Sequence, residues 1–277
     1  MLITRLFTTA FLLLIATGAA TSADDAKLAA AAKKVRHTIA HRGSCADRPE
    51  NTLASYRRAI ESGATMMEMD VRATKDNAII SLHDADLKRT TNGKGLARDF
   101  TLEEIRKLDA GSWFDPKYKD ERVPTMKAIL ELAKGKIDVL LDLQASGEDY
   151  NDEYVARIAA EVRKFGEPKR TWLGVRSVDN AKRFRKFLPE ARQIGLIPAA
   201  KDIDAFAEAK VDAIRIWPKW LADKSLVPLV RKHGLQLLLN GTLGAEDETR
   251  MLLMHEPELL ASDDPARLVA TLKTIAK

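Results

Sequence analysis

The sequence predicts an α/β fold in which eight parallel strands are joined by crossover helices, and three observations carry this. Short apolar segments alternate with amphipathic stretches of helical length from residue 37 to the C-terminus. The apolar segments that fit barrel strands number eight. The chain has 277 residues, 45% of them hydrophobic, enough to bury one large core in a single domain. Eight strands fit closure into a (β/α)8 barrel, and an open doubly wound sheet has the same alternation.

At the N-terminus, Arg5 precedes an apolar run over 6–16, followed by small residues through Gly18, Ala20, Ser22 and Ala23, then Asp24 and Asp25. This pattern predicts a secretory signal peptide over 1–23, cleaved near Ser22 or Ala23, and a single mature domain over 24–277. The expected location is therefore outside the cytoplasm, periplasmic or secreted. The apolar run is shorter than the roughly 20 residues that span a bilayer, so no stable membrane span is expected after cleavage. Cys45 is the one cysteine, which rules out an intrachain disulfide. Lys and Arg exceed Asp and Glu by 45 to 40, and the basic residues are scattered, so no nucleic-acid partner is expected. Oligomeric state is not set by the sequence.

A basic, Ala-rich helical lead over 25–34 precedes the first strand at 37–40. The other expected strands are 66–71, 139–143, 171–175, 193–197, 213–217, 235–240 and 259–262, with helices over 51–62, 152–165, 178–187, 202–209 and 221–232. One segment breaks the rhythm. Between Asp70 and His83 there is no room for a helix, yet 78–82 reads as a strand, so an antiparallel hairpin is predicted. With Asp76-Asn77 as a two-residue turn, Lys75 pairs with Ala78 and Asp70 with His83, which carries His83 back over the barrel mouth. The mixed stretch 84–122 then forms an excursion from the second strand-to-helix loop.

Three strands carry the chemistry. His41 and Arg42 stand at the C-terminal end of the first, where barrel side chains face the active-site mouth, and they suit a proton carrier and a phosphate clamp. A surface loop is the plainer reading of that tripeptide alone. Asn51 or Thr52 is expected to cap the following helix. In the second strand Glu68 and Asp70 are two residues apart, hence on one face, and two inward carboxylates call for a cation. A hard divalent ion with oxygen ligands fits. Asp142, inside an apolar strand, completes a three-carboxylate metal site or else caps a strand end; Gln144 shares its face.

The ordered segments His41-Arg42-Gly43, Pro49-Glu50-Asn51-Thr52, Gly63-Ala64, Glu68-Met69-Asp70-Val71, Thr74-Lys75-Asp76, His83-Asp84 and Arg89-Thr90-Thr91 resemble the glycerophosphodiester phosphodiesterase family. Further matches are Arg122-Val123-Pro124-Thr125 and Ser262-Asp263 with Pro265. The resemblance spans the mature chain and is densest from His41 to Gly95. It implies a (β/α)8 TIM barrel and hydrolysis of a small-molecule phosphodiester, with glycerol 3-phosphate and an alcohol as products. It also implies a divalent metal ion, Mg2+ or Ca2+, on Glu68 and Asp70, His41 and His83 as the catalytic pair, and Arg42 on the phosphate.

The second half departs from that pattern. Asp142 and Gln144 stand where the family usually has Glu and Lys, and Leu237-Leu238-Leu239-Asn240 where Trp-Thr-Val-Asn is usual. The pocket is therefore expected to be less positive than in relatives, with Arg42 carrying more of the phosphate contact and the Gln144 amide turned toward phosphate or the metal's water shell. Two rivals stand beside hydrolysis: a lyase forming a cyclic phosphate, as in sphingomyelinase D-like enzymes, and an exported binding protein. A serine hydrolase is disfavoured because no G-x-S-x-G elbow occurs. A zinc protease is disfavoured because His255-Glu256 is followed by Pro257 and lacks a second His.

Overall fold

Apolar strands buried on both faces need a partner on either side, and ring closure supplies one for every strand. The computed structural model describes residues 22–144 and 151–277, so the expected signal segment, up to the first residues of the leading helix, lies outside the described residues. The strands are β1 (His37–Ala40), β2 (Met66–Ala73), β3 (Ile79–Ser81), β4 (Asp138–Leu143), β5 (Thr171–Val175), β6 (Arg192–Gly195), β7 (Ala213–Ile216), β8 (Gln236–Thr242) and β9 (Leu259–Ser262). All but β3 pair in parallel, and β1 pairs with both β9 and β2, which closes the ring β1-β2-β4-β5-β6-β7-β8-β9. The fold is a (β/α)8 TIM barrel, and the open-sheet alternative is excluded.

Helices α2 (Leu53–Glu61), α4 (Met126–Ala133), α5 (Asp152–Phe165), α6 (Val178–Phe187), α7 (Ile203–Glu208), α8 (Leu226–Lys232), α9 (Glu246–Leu253) and α10 (Pro265–Ile275) follow barrel strands in turn. Capping fixes where several begin: the side chains of Thr52, Thr125, Asn151, Ser177 and Asp264 accept from backbone N–H groups of the first turn. Thr52, not Asn51, is thus the cap of α2. The lead forms α1 (Ser22–Lys34), which buries Leu28, Ala31 and Ala32 and pairs Asp25 with Arg250 at 2.9 Å.

The core has two concentric parts. An outer layer lies between strands and helices, and a separate cluster fills the barrel interior: Ile39, Met66, Leu140, Trp172, Ile194, Leu196, Ala213, Leu238, Leu259 and Ala261. The interior set matters for function because a strand's period of two projects it upward to the next inward position.

The excursion after β3 has its own small core of Ile80, Leu82, Leu87, Ala97, Ile105, Ala110 and Val123, with a one-turn helix α3 (Leu102–Ile105) started by the Thr101–Glu104 capping box. The β2–β3 hairpin forms as expected but in a different register. Val71 faces Ser81, Arg72 faces Ile80 and Ala73 faces Ile79, and the Thr74 N–H donates to Ala78 O at 3.0 Å. The turn therefore holds three residues, 75–77, closed by Asn77 in the left-handed conformation (φ 63°). This shifts the pairing by one residue from the Lys75/Ala78 and Asp70/His83 expectation.

Candidate active site

Alternation from the interior cluster brings a ring of polar groups to the C-terminal mouth. Above Ile39 comes His41; above Met66, Glu68 and then Asp70; above Leu140, Asp142 and Gln144. Arg176 lies beyond Trp172 and Gly174, Arg215 and Trp217 beyond Ala213, Asn240 beyond Leu238, and Asp263 beyond Ala261.

The turn after β1 is tight. Arg42 and Gly43 both have positive φ (52° and 81°), and a Cβ at Gly43 would lie 2.0 Å from Ser55 Oγ, so this position takes only glycine. The turn delivers the Arg42 N–H to Glu68 Oε2 at 2.6 Å. The Arg42 side chain lies between Glu50 (Nη1 to Oε1, 2.9 Å) and Asp70 (Nε to Oδ2, 3.5 Å).

Each histidine is tied through Nδ1 to a carboxylate. His41 Nδ1 is 2.6 Å from Asp263 Oδ1, and His83 Nδ1 is 2.8 Å from Asp84 Oδ1. Donation of Nδ1–H to the carboxylate leaves Nε2 of either ring for proton transfer. Burial works to raise the Asp263 carboxyl, but the hydrogen bond and charge of His41 outweigh it and hold the group below its usual value. Asp84 is drawn down to about 2, chiefly by its hydrogen bond from Arg89. Arg89 also grips both oxygens of Glu50 at 2.8 Å, so an ionic chain runs from His83 through Asp84, Arg89 and Glu50 to Arg42. From β2, Arg72 donates from Nε to the His83 carbonyl at 2.9 Å and fixes the end of the hairpin. Cys45 lies beside Asp263, and burial pushes its thiol far above the usual range, so it is no nucleophile.

Glu68, Asp70 and Asp142 present carboxylate oxygens within 4.8 Å of one another. Burial first, then the charges of Asp70 and Asp142, hold the Glu68 carboxyl well above its usual value, and burial also raises Asp142 against the pull of Arg176. Among the described residues, Glu68 Oε1 is buried without a hydrogen-bond partner. An acidic group of this kind, short of positive charge at one oxygen, fits a divalent cation with oxygen ligands. Asp70 is held from two sides: Asn51 Nδ2 donates to Oδ2 at 2.8 Å, and Gln144 Nε2 donates to Oδ1 at 2.6 Å. Asn51, at φ 57°, is itself fixed by Tyr56 and Ser81, whose hydroxyls reach its Oδ1 at 2.7 Å.

Two further arginines stand at this mouth. Arg176 Nη2 contacts both oxygens of Asp142 at 2.7 and 2.8 Å, and Arg215 points into the same mouth from β7. The structure groups Glu68, Asp70 and Asp142, sets Arg42 and Gln144 against Asp70, and links His83 to Arg42 through Asp84, Arg89 and Glu50; sequence reasoning missed Asp84 and Asp263 as partners of the histidines, Asn51 as the support of Asp70, and both arginines. The signal for the arginines is strand parity with Trp172 and Ala213, which counts only once those two are known to face inward. Beside Gln144 a cavity of ≈ 540 Å³ opens, with Arg72, Lys75, Arg98 and Arg157 on its walls.

The sequence model of the glycerophosphoryl diester phosphodiesterase family matches residues 41–267. A glycerophosphodiester phosphodiesterase of Caldanaerobacter subterraneus subsp. tengcongensis is 31% identical, over 83% of this chain and 95% of that protein. One from Bacillus subtilis is 30% identical, over 78% of this chain and 79% of its own length. Among solved structures, a glycerophosphodiester phosphodiesterase from Agrobacterium tumefaciens superposes with a TM-score of 0.75 at 30% identity, covering 85% of this chain and all of that one (100%). The fold is shared with an Oleispira antarctica phosphodiesterase solved with its product sn-glycerol-3-phosphate, at a TM-score of 0.79 and 24% identity over 88% of this chain and 99% of the other. With its motifs, its barrel and these relatives in agreement, the chain belongs to the glycerophosphoryl diester phosphodiesterase family and is a phosphoric diester hydrolase.

Proposed function

We propose that the protein hydrolyses glycerophosphodiesters to glycerol 3-phosphate and an alcohol, with His41 and His83 moving the protons. The observation that carries this is the pairing of two carboxylate-oriented imidazoles with a largely buried three-carboxylate group in one barrel mouth. Glu68, Asp70 and Asp142 would hold Mg2+ or Ca2+, which when bound withdraws charge from the phosphoryl oxygens.

The remaining work falls to the chain's own side chains. Arg42, already steered by Glu50 and Asp70, is placed to bind a non-bridging phosphoryl oxygen and to stabilise the charge that grows there. One imidazole takes at Nε2 the proton of the attacking water, or of a neighbouring substrate hydroxyl whose cyclic phosphate water then opens, and the other donates a proton from Nε2 to the departing alkoxide. Asp263 and Asp84 keep each ring in the tautomer that leaves Nε2 toward the substrate. The cavity beside Gln144 gives the alcohol portion room to lie outside the barrel axis. Export of the protein is part of the same reading and rests on the pattern of residues 1–23.

The test is turnover of purified protein on a panel of glycerophosphodiesters, with products followed by phosphorus NMR. Release of glycerol 3-phosphate is the expected result. Accumulation of a cyclic phosphate would make the protein a lyase, and saturable binding without turnover would make it a binding protein. Intact mass of protein collected from the periplasm or medium reads the export claim, with a mature N-terminus near Ser22 or Ala23 expected.

A further inference from the structure

A guanidinium is expensive to bury unless hydrogen bonds or an ion pair replace its water. Arg215 is only 8% exposed, and among the described residues its Nε has no hydrogen-bond partner. Among the described residues no hydrogen bond or ion pair reaches this side chain, and its one close aromatic contact is the ring of Trp217, 4.3 Å from the guanidinium carbon. Asp142, the acid nearest in charge, is already engaged by Arg176 at 2.7 and 2.8 Å, so Arg215 is not its hydrogen-bonded counterion. Burial lowers its pKa to about 10, which leaves it cationic at neutral pH. A buried cation braced by stacking on one side and unpaired on the other is a site waiting for an anion.

Its placement says which anion. In the ring β1-β2-β4-β5-β6-β7-β8-β9, β7 stands four strands from β2, directly across the barrel. Arg42 stands on the β1 and β2 side, between Glu50 and Asp70, and among the described residues its Nε also lacks a hydrogen-bond partner. The strand order therefore sets the two arginines on opposite sides of the barrel mouth. A tetrahedral phosphoryl group with two free oxygens suits two such donors, one to each side.

We propose that Arg215, stacked on Trp217, binds the substrate's phosphoryl group from the β7 wall and supplies the positive charge that Gln144 does not. The inference rests on the phosphodiesterase reading above and assigns that reading a second phosphate-binding arginine.

The experiment uses the full chain labelled with 15N, with Mg2+ present, and follows the arginine Nε–H resonances during titration with sn-glycerol 3-phosphate. The Arg215 resonance is assigned by its absence in Arg215→Lys. It should move as the ligand saturates. Arg215→Met should weaken sn-glycerol 3-phosphate binding by roughly 10- to 100-fold, the range for losing charged hydrogen bonds, and Arg215→Lys should recover part of it. If the ligand binds while the Arg215 resonance stays fixed, the proposal is overturned and the phosphodiesterase reading stands. If the wild-type protein neither binds sn-glycerol 3-phosphate nor turns over any glycerophosphodiester, the functional reading fails and this inference with it. Should Arg215→Met fail to fold, the wild-type titration still decides.

Discussion

His41 and His83 depend on groups that come from distant parts of the chain, Asp263 after β9 and Asp84 in the excursion. Replacing either histidine with alanine should lower turnover by roughly 100-fold or more, the usual range for losing a general acid or base. Asp263→Asn and Asp84→Asn should cost less, roughly 10- to 100-fold, as for other carboxylates that orient a working imidazole, and should also shift the pH–rate profile. An unchanged profile in both would remove the orienting role. Asp84 makes a second, structural statement. Its pKa of about 2 lies below the ordinary 3.8, so its ion pairs add stability that is fully present above 3.8 and is lost as pH falls through about 2. Asp84→Asn should therefore show a smaller loss of urea resistance between roughly pH 5 and pH 2 than the wild type. At this scale the sequence displayed the histidines and acids, because their types and strand positions are unusual. It displayed Asp84 and Asp263 within motif segments but hid their pairing with the histidines, which the closed barrel brings about.

Among elements, the β2–β3 hairpin matters most, since its far end sets His83. Its existence was legible from the missing helix between Asp70 and His83, but its register was not. Asp76-Asn77 reads as a two-residue turn, and only the left-handed Asn77, with the Thr74 to Ala78 bond, reveals the three-residue loop. Asn tolerates that conformation far better than a β-branched residue does. Asn77→Val should destabilise the protein by about 1–3 kcal/mol, whereas Asn77→Gly should leave it within roughly half a kcal/mol, both read from urea melts. Arg72→Met, which frees the His83 carbonyl, should lower turnover while leaving the melting temperature of the barrel nearly unchanged. A loss of both together would show that Arg72 holds the fold and not the histidine.

For the whole molecule, closure of eight strands turns a period of two into a ring of side chains at one end. Two buried acids, Glu68 and Asp70, and the half-buried Asp142 meet three arginines, Arg42, Arg176 and Arg215, in that ring. The acids were read from the sequence as a metal site because acids in apolar strands stand out. The arginines were not read, since β5 and β7 lack a family motif and their parity becomes meaningful only once Trp172 and Ala213 are known to face inward. The proposed metal site also makes a prediction independent of turnover. Mg2+ or Ca2+ at about 100 times its dissociation constant should stabilise the wild type by about 2.7 kcal/mol, and Glu68→Gln should abolish most of that gain.

The most direct measurement is turnover of a glycerophosphodiester by chelator-stripped protein before and after a divalent ion is restored. Loss of at least roughly 100-fold on stripping, recovery with Mg2+ or Ca2+, and no recovery in His41→Ala is the expected result. Full turnover in excess chelator would contradict the assignment of Glu68, Asp70 and Asp142 to a working metal ion.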